Sequence, residues 1–268
     1  MTNEWKMRVA ITAWALLVVG VIALSVRQCV FSDNSRFVTV SPGLRDSLLS
    51  VEVSGCQRVD YSGFTVWFDT LHHVPACVTY ELLAEHLNGS YQRTDIFEQD
   101  ENVVGCPSPD AYYGTGLHRG HMAPATDMAW DSVAIRQSFL MTNICPQQRA
   151  LNEGGWARLE EKCREWVVRD SALIIATGPV LENGLDTIAG SGVVIPKRFY
   201  KVVLAHAIKP RRAIAFVYDN AACNGRLKRY AVAVNEVERI TRIDFFKVLP
   251  HDEQKRIEKA CNLQVWLH

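Results

Sequence analysis

The sequence predicts a mixed α+β domain, preceded by one apolar segment near the N-terminus. Two patterns predict the domain: short runs of β-branched and aromatic residues along the chain, and one long stretch with apolar residues at helical spacing. With 268 residues, 48% of them hydrophobic, the chain is long enough to bury a substantial core. Its formal net charge of +0 means that binding of a polyanion requires a local basic patch.

The apolar segment spans residues 9–26 and is preceded by Lys6 and Arg8 and followed by Arg27. At about 1.5 Å per residue in a helix, its length approaches the roughly 30 Å core of a bilayer. The pattern favours a transmembrane anchor, with a cleaved signal segment as the alternative because Ala23-Leu24-Ser25 is a passable cleavage site. We therefore expect an exported, membrane-anchored protein with its folded domain in the periplasm or outside the cell, or a secreted one after cleavage.

The rest of the chain divides into a short flank, a tether and one large domain. We expect residues 1–8 to be the N-terminal flank, 27–55 the tether and 56–268 the domain. Helices are predicted at residues 152–168 and 252–260, and residues 100–116 read as a loop rich in glycine and proline. Strands are predicted at residues 64–68, 76–82, 138–144, 173–177, 199–204, 213–218 and 230–234.

The eight cysteines form an even set without any Cys-x-x-Cys pair, which disfavours a zinc ribbon or finger. An exported compartment would allow at least one disulfide, whereas the alternative is that several cysteines are small buried core residues. The adjacent His72 and His73 are better explained as turn residues than as a metal site, because neighbouring strand residues point to opposite faces.

Two segments carry the residue types of a one-metal site that cleaves phosphodiesters. Residues 117–127 read Leu-His-Arg-Gly-His-Met-Ala-Pro-Ala-Thr-Asp, which combines a histidine base with an arginine that suits a phosphate group. Residues 152–160 read Asn-Glu-Gly-Gly-Trp-Ala-Arg-Leu-Glu, so an amide oxygen and a carboxylate lie near one face of a helix.

These segments resemble the DNA/RNA non-specific endonuclease family, whose members contain a ββα-metal site. The resemblance rests on His118-Arg119-Gly120-His121 followed by Pro124, on Thr142-Asn143-Ile144-Cys145-Pro146-Gln147, and on residues 152–160, in the family's order and spacing. It extends from about Tyr61 to about Ile257. It implies an α+β fold in which helices flank a central antiparallel β-sheet and a ββα-metal motif forms the active site.

The resemblance also implies a role for each matching residue. His121 would be the general base that takes a proton from the attacking water. Asn152 would be the only protein ligand of a Mg²⁺ ion, with Mn²⁺ also acceptable, and Glu160 would hold water of the ion's hydration shell. Arg119 and Arg164 would contact the scissile phosphate and the charge of the transition state.

Two more residues receive roles by similarity. Asn143 would maintain the geometry of the site through hydrogen bonds, and Arg93 would be a further phosphate contact. None of these roles requires base edges, so the resemblance implies largely sequence-independent cleavage of DNA or RNA. Other expected partners are a membrane, through the N-terminal segment, and a second copy of the chain in a homodimer.

The sequence departs from the family pattern at three positions. His118 stands where the family usually has aspartate, Cys77 where many members have tryptophan, and Arg242 where many have glycine. A neutral imidazole at position 118 offers one acceptor and one donor, whereas a carboxylate offers only acceptors with full charge. We expect activity to survive because the base His121 is present.

Simpler alternatives exist for several of these residues. Arg164 and Glu160 lie four positions apart and could form an ion pair on a solvated helix face, and Asn152 could be the N-cap of its helix. A rival function is a membrane-tethered nucleic-acid-binding protein of the same fold that has lost or weakened catalysis. A phosphodiesterase for a smaller substrate would share the same site chemistry.

Overall fold

The computed structural model describes residues 36–267; the predicted flank 1–8, the apolar segment 9–26 and the start of the tether lie outside them. These residues fall into two units. The smaller consists of residues 36–39 and 208–210 and contains an antiparallel bridge between Phe37 and Ile208. The larger, residues 40–207 and 211–267, contains every element named below. Within residues 36–267, no helix has the length and apolar character needed to cross a membrane.

All the strand pairs of the larger unit are antiparallel. The strands, in chain order, are β1 (Cys56–Asp60), β2 (Thr65–Asp69), β3 (Val74–Leu83), β4 (Leu117–His121), β5 (Ile144–Gln148), β6 (Ala172–Pro179), β7 (Asp186–Thr187), β8 (Val194–Ile195), β9 (Arg198–Ala205), β10 (Arg212–Asp219) and β11 (Ala231–Val232). Seven of them form the main sheet in the order β1-β2-β3-β6-β9-β10-β11. The pairs β4-β5 and β7-β8 form two small separate sheets. The expected central antiparallel sheet is therefore confirmed.

Helices cover both faces of the main sheet. They are α1 (Pro42–Leu49), α2 (Ser132–Gln137), α3 (Ala157–Asp170), α4 (Val234–Thr241), α5 (His251–Lys259) and α6 (Gln264–Leu267). On one face, the apolar residues of α1, α4 and α5 join a core cluster with alternate residues of the strands. On the other face, α3 packs across β3, β6 and β9. Each large apolar side chain buried in this way contributes roughly 1.5–3 kcal/mol to folding.

The two motif segments meet in a ββα arrangement. Strand β4 pairs with β5 so that Gly120 lies opposite Cys145 and Arg119 lies opposite Pro146. A Cβ atom on Gly120 would lie 2.1 Å from the side-chain oxygen of the buried Gln147, which explains why glycine is required between Arg119 and His121. A π-helical turn, Leu151–Trp156, then leads directly into α3.

Some elements differ from the predicted ones. Residues 42–49, expected within the tether, form α1, in which the Ser41 side chain caps the N-terminus and Leu48 is buried in the core. The strand expected at residues 138–144 begins only at Ile144, since residues 138–140 continue from α2 through turn hydrogen bonds. The observed strand β5 includes Pro146. A two-stranded sheet tolerates a proline because one edge of each strand is unpaired.

The strand expected at residues 230–234 is only Ala231–Val232, because α4 begins at Val234. The cysteines also differ from one expectation: the seven cysteines within residues 36–267 are all free thiols, and five of them are buried. These five fit the alternative interpretation as small core residues, whereas Cys29 lies outside the described part of the chain. His72 and His73 lie in the turn between β2 and β3, as predicted.

Candidate active site

A cleft of about 690 Å³ lies where β4, the π-helical turn and α3 meet. Nearly all the predicted site residues line it, although they come from separate parts of the sequence: Arg93, Arg119, His121, Asn152, Glu160 and Arg164. The exception is Asn143, which is fully buried. The fold therefore brings the predicted residues together around one cavity.

His121 ends β4 and packs against two aromatic rings. Its ring centroid lies 4.9 Å from that of Phe139 and 5.4 Å from that of Phe97. Burial, with a smaller contribution from the charge of Arg93, lowers the pKa of His121 to about 4. The imidazole is therefore neutral at pH 7 and has a nitrogen lone pair that can accept a proton.

Asn143 joins the segment that follows His121 to the residue at the end of α2. Its side-chain Nδ2 donates to the carbonyl oxygens of Ala123, at 2.9 Å, and Ser138, at 2.8 Å. Its Oδ1 accepts a hydrogen bond from the backbone N–H of Ala123 at 2.9 Å. Since all these groups are buried, each lost bond would cost about 1–3 kcal/mol, and the segment that follows His121 is held firmly.

Asn152 lies inside the π-helical turn, next to His118. The Nδ2 atom of Asn152 is 3.3 Å from Nδ1 of His118, and Oε1 of Glu153 is 3.7 Å from the same nitrogen. Helical residues precede Asn152, so the alternative role of helix N-cap does not apply. The amide, the imidazole and the carboxylate lie together on the wall of the cleft, and each is of a type that can bind a metal ion.

Arg164 is paired with a residue that the sequence analysis did not assign. Its Nη1 donates to Oδ1 of the buried Asp127 at 2.9 Å, so its partner is Asp127 and not Glu160, which lies one helical turn away. The hydroxyl of Tyr80 donates to the other oxygen of Asp127 at 3.1 Å. The hydrogen bond to Asp127 therefore holds the Arg164 side chain in the position where it lines the cleft.

Burial dominates the ionisation of Glu160. It raises the pKa of this carboxyl group to about 7, although the nearby ammonium of Lys201 acts in the opposite direction. Lys201 is itself fully buried, with its Nζ atom 4.7 Å from the centroid of the Trp156 ring. Glu160 therefore changes its charge near neutral pH in the absence of a bound cation.

Arg119 is held by aromatic rings and by one backbone oxygen. Its Nη2 donates to the carbonyl of Pro109 at 2.8 Å. The centre of the guanidinium lies between 5.1 and 5.8 Å from the ring centroids of Phe97, Tyr112 and Tyr113. Such cation–π contacts hold a guanidinium in place without neutralising its charge, so Arg119 keeps its positive charge in the cleft.

Arg93 lies in the long loop between β3 and β4. Its Nε donates to Oδ1 of Asp95 at 2.7 Å, and its guanidinium lies 5.7 Å from the centroid of the Phe139 ring. The side chain is 57% exposed. Arg93 therefore adds a third arginine to the cleft.

The sequence analysis missed the residues that support the predicted ones. Asp127 stands within the first motif, but its pairing with Arg164 spans 37 positions and leaves no trace in local spacing. Glu153 is adjacent to Asn152, and only the pairing of β4 with β5 places it next to His118. Lys201 lies in the middle of β9 with aromatic and apolar neighbours on both sides, and a lysine at such a position is the one signal that was available.

The ββα arrangement defines a class of α+β proteins in which a histidine at the end of a strand and an asparagine in the adjoining helical segment line one cleft. Here these residues are His121 and Asn152. The family model described as DNA/RNA non-specific endonuclease matches residues 48–252, and the chain belongs to this family. The resemblance seen in the three motifs is confirmed.

Several curated nucleases are similar to the chain. It is 28% identical over 230 residues to the mitochondrial nuclease EXOG of Mus musculus, an alignment that covers 79% of this chain and 62% of that protein. It is 31% identical over 187 residues to a nuclease of Nostoc sp., covering 65% of this chain and 68% of that one. The chain thus spans somewhat less than two thirds of the length of the mouse relative.

A solved structure shares the fold. A chain from the crystal structure of the EndoG/EndoGI complex superposes with a TM-score of 0.71 and is 23% identical. The match covers 80% of this chain and 96% of that one. The mixed α/β architecture with a large antiparallel sheet is therefore shared with a known structure.

The relatives correct the expected location. The sequence analysis predicted an exported protein, either membrane-anchored with its catalytic domain in the periplasm or outside the cell, or secreted. Similar nucleases from Mus musculus, Homo sapiens, Schizosaccharomyces pombe and Saccharomyces cerevisiae are named as mitochondrial. The prediction of an exported protein is wrong.

Proposed function

We propose that this chain is a divalent-metal-dependent endonuclease that hydrolyses phosphodiester bonds of DNA, RNA or both, with little dependence on base sequence. One observation carries the proposal: a neutral His121 imidazole shares a cleft with Asn152, Glu160 and arginine side chains. A base, a cation-binding oxygen and a phosphate-binding surface are the parts that hydrolysis of a phosphodiester requires.

His121 supplies the base. Its low pKa keeps the imidazole unprotonated throughout the neutral range, so the ring is ready to take a proton from a water molecule at the scissile phosphorus. The rings of Phe97 and Phe139 fix its position, and the hydrogen bonds of Asn143 hold the segment that follows it. A fixed base within reach of the attacking water typically contributes about 10²–10⁴-fold to the rate.

Asn152 would bind the metal ion, Mg²⁺ or alternatively Mn²⁺. The donor set fits a hard or borderline cation, because the amide of Asn152 lies beside His118 and Glu153 and shares the cleft with Glu160. When bound, the ion would neutralise the negative charge that develops on the leaving 3′ oxygen. Glu160 orients water molecules on the same wall and is most effective as a carboxylate.

Arginine side chains would bind the backbone of the nucleic acid. Arg119 and Arg164 are held in place by aromatic rings and by Asp127, and Arg93 is the more exposed contact. A guanidinium fork matches the oxygens of a phosphate group. Because phosphates are the same at every position of DNA and RNA, such contacts give no sequence preference. The expected homodimer stays a prediction.

The test uses the full chain with closed circular plasmid DNA and, separately, with a structured RNA, each with Mg²⁺ or with a chelator. We expect nicks and linear DNA only when the metal is present, because a closed circle has no ends to attack. His121→Ala should lower the cleavage rate by at least about 10²-fold, whereas His251→Ala, at an exposed position at the start of α5, should leave it unchanged.

Binding of nucleic acid without cleavage under every divalent ion would contradict the proposal. It would instead favour the rival function, a nucleic-acid-binding protein of the same fold without catalysis. Cleavage that persists undiminished in His121→Ala would contradict the assignment of the base.

A further inference from the structure

We propose that His118 is a second direct ligand of the catalytic cation, so that the site binds Mn²⁺ in preference to Mg²⁺. The inference rests on the proposed function, because it concerns the same metal site. It depends on a residue at which this chain departs from the family pattern, and on the position that the fold gives to that residue.

The distances from the imidazole of His118 to the side chains of Asn152 and Glu153 suit a shared cation. Two ligands in adjacent octahedral positions, each about 2.1 Å from one ion, lie about 3.0 Å apart. Nδ1 of His118 is 3.3 Å from the Asn152 amide and 3.7 Å from Oε1 of Glu153. Small side-chain rotations would bring these separations to the required value.

The amide of Asn152 can present its oxygen at the same point. The oxygen and nitrogen of an asparagine side chain are assigned from hydrogen bonding, and a rotation of 180° exchanges them. In the structure Nδ2 faces the imidazole, as expected for a donor next to an acceptor nitrogen. With a cation between the two side chains, the amide would turn its oxygen inward, and the same lone pair of His118 would bind the ion.

Glu153 adds negative charge without being required as a ligand. Its Oε2 accepts a hydrogen bond from Arg149 at 2.9 Å, which leaves Oε1 directed towards His118. The carboxylate is 53% exposed, so its electrostatic effect on the ion is screened by solvent. We therefore expect Glu153 to strengthen the binding of all divalent ions by a similar and modest factor.

The imidazole determines which ion is preferred. Mg²⁺ strongly favours oxygen ligands and keeps most of its water, whereas Mn²⁺ accepts an imidazole nitrogen as well as oxygen. Replacing a family aspartate by histidine removes a charged oxygen and adds a neutral nitrogen. Selectivity should therefore move from Mg²⁺ towards Mn²⁺ relative to His118→Asp.

The experiment measures metal ligation directly, apart from catalysis. The full chain is freed of metal with a chelator, and Mn²⁺ is titrated while the signal of the free ion is followed by electron paramagnetic resonance. Electron spin-echo modulation of the bound Mn²⁺ then reports any directly bound ¹⁴N nucleus. We expect an imidazole ¹⁴N signal in the wild type and its loss in both His118→Ala and His118→Asp.

Matched variants identify the nitrogen. His121→Ala and His251→Ala should keep the signal, and Glu153→Gln should keep it while binding of Mn²⁺ and Mg²⁺ weakens alike. His118→Ala should bind Mn²⁺ at least about tenfold more weakly. His118→Asp should lower the ratio of Mg²⁺ to Mn²⁺ dissociation constants. Circular dichroism and the Tm establish that each variant is folded.

Absence of the ¹⁴N signal in the wild type, absence of Mn²⁺ binding at millimolar concentration, or persistence of the signal in folded His118→Ala would overturn the inference. His118 would then only accept a hydrogen bond from Asn152. If the chain cleaves nucleic acid but shows no ¹⁴N signal, the inference alone fails. If the signal is present but no metal supports cleavage, the proposed function fails and the ligand assignment stands.

Discussion

Burial sets the protonation states of the side chains in the cleft. The pKa of His121 is lowered to about 4 and that of Glu160 is raised to about 7, both mainly through loss of solvent. The two shifts have opposite directions because burial disfavours the charged form of each group. Near pH 7 the imidazole of His121 is therefore neutral and can accept a proton, whereas Glu160 is only partly ionised.

The raised pKa of Glu160 predicts that the effect of Glu160→Gln on the free energy of unfolding depends on pH. The folded-state pKa of Glu160 is raised above its ordinary value of 4.5, so the stability that the neutral acid contributes is present below about pH 4.5 and is lost as the pH rises through about 7. In the absence of metal, Glu160→Gln should match the wild type at pH 4.5 and be more stable at pH 8 by roughly 2 kcal/mol.

Urea unfolding at the two pH values measures the difference in the free energy of unfolding. Glu161→Gln, on the exposed face of the same helix, is the matched control and should show no such dependence. An effect of Glu160→Gln that is equal at both pH values would contradict the assigned shift. With metal present, Glu160→Gln should also lower the cleavage rate.

The long buried strands of the main sheet were easier to predict than the short helices and the short strands. β3, β6, β9 and β10 are buried on both faces, so their sequences are nearly continuous apolar runs with a clear signal. The helix α4 was missed because the alternating residues 230–233 suggest a longer strand, and packing against the sheet converts the chain to a helix at Val234. Local pattern alone does not contain that contact.

The end of α4 explains one departure from the family pattern and gives a prediction. Arg242 has φ +64°, in the left-handed region, where its backbone N–H closes the helix on the carbonyl of Glu238 at 2.8 Å. Glycine adopts this conformation without the penalty of a Cβ atom. Arg242→Gly should therefore stabilise the protein by about 0.5–1 kcal/mol.

Thermal unfolding measures this effect as a rise in Tm, and cleavage should be unchanged because Arg242 is not part of the cleft. Arg242→Ala, which keeps the Cβ atom, is the control and should give no gain. A gain in Arg242→Ala equal to that in Arg242→Gly would show that the arginine side chain, and not the backbone conformation, is responsible.

Charge in this protein is arranged locally. The formal net charge is +0, yet arginines from a loop, a strand and a helix line the same cleft. The sequence predicted these side chains individually, since each lies in or near a recognisable motif. It did not predict Asp127 or the aromatic rings that hold them, because those contacts form only when distant segments fold together.

This arrangement predicts a shallow salt dependence of binding to DNA. If Arg93, Arg119 and Arg164 are the phosphate contacts, the logarithm of the association constant should fall against the logarithm of salt concentration with a slope of about −3. The measurement uses His121→Ala with a chelator, so that no cleavage occurs, and fluorescence anisotropy of a labelled duplex. Removing Arg93 as well, by Arg93→Ala, should reduce the magnitude of the slope by about 1.

A slope steeper than about −6 would mean that a larger surface than the cleft binds the DNA. A slope near zero would mean that phosphate contacts contribute little. Arg226→Ala, which changes an arginine outside the cleft, should leave the slope unchanged.

The most direct test of the central claim is chemical rescue of the base. Removing the imidazole in His121→Ala leaves a space beside the rings of Phe97 and Phe139 that added imidazole can enter. With metal present, the account predicts that His121→Ala is nearly inactive and that its rate of plasmid cleavage rises in proportion to the concentration of free imidazole. A folded, metal-binding His121→Ala protein that imidazole does not restore, or that cleaves at the wild-type rate without it, would contradict the role of His121 as general base.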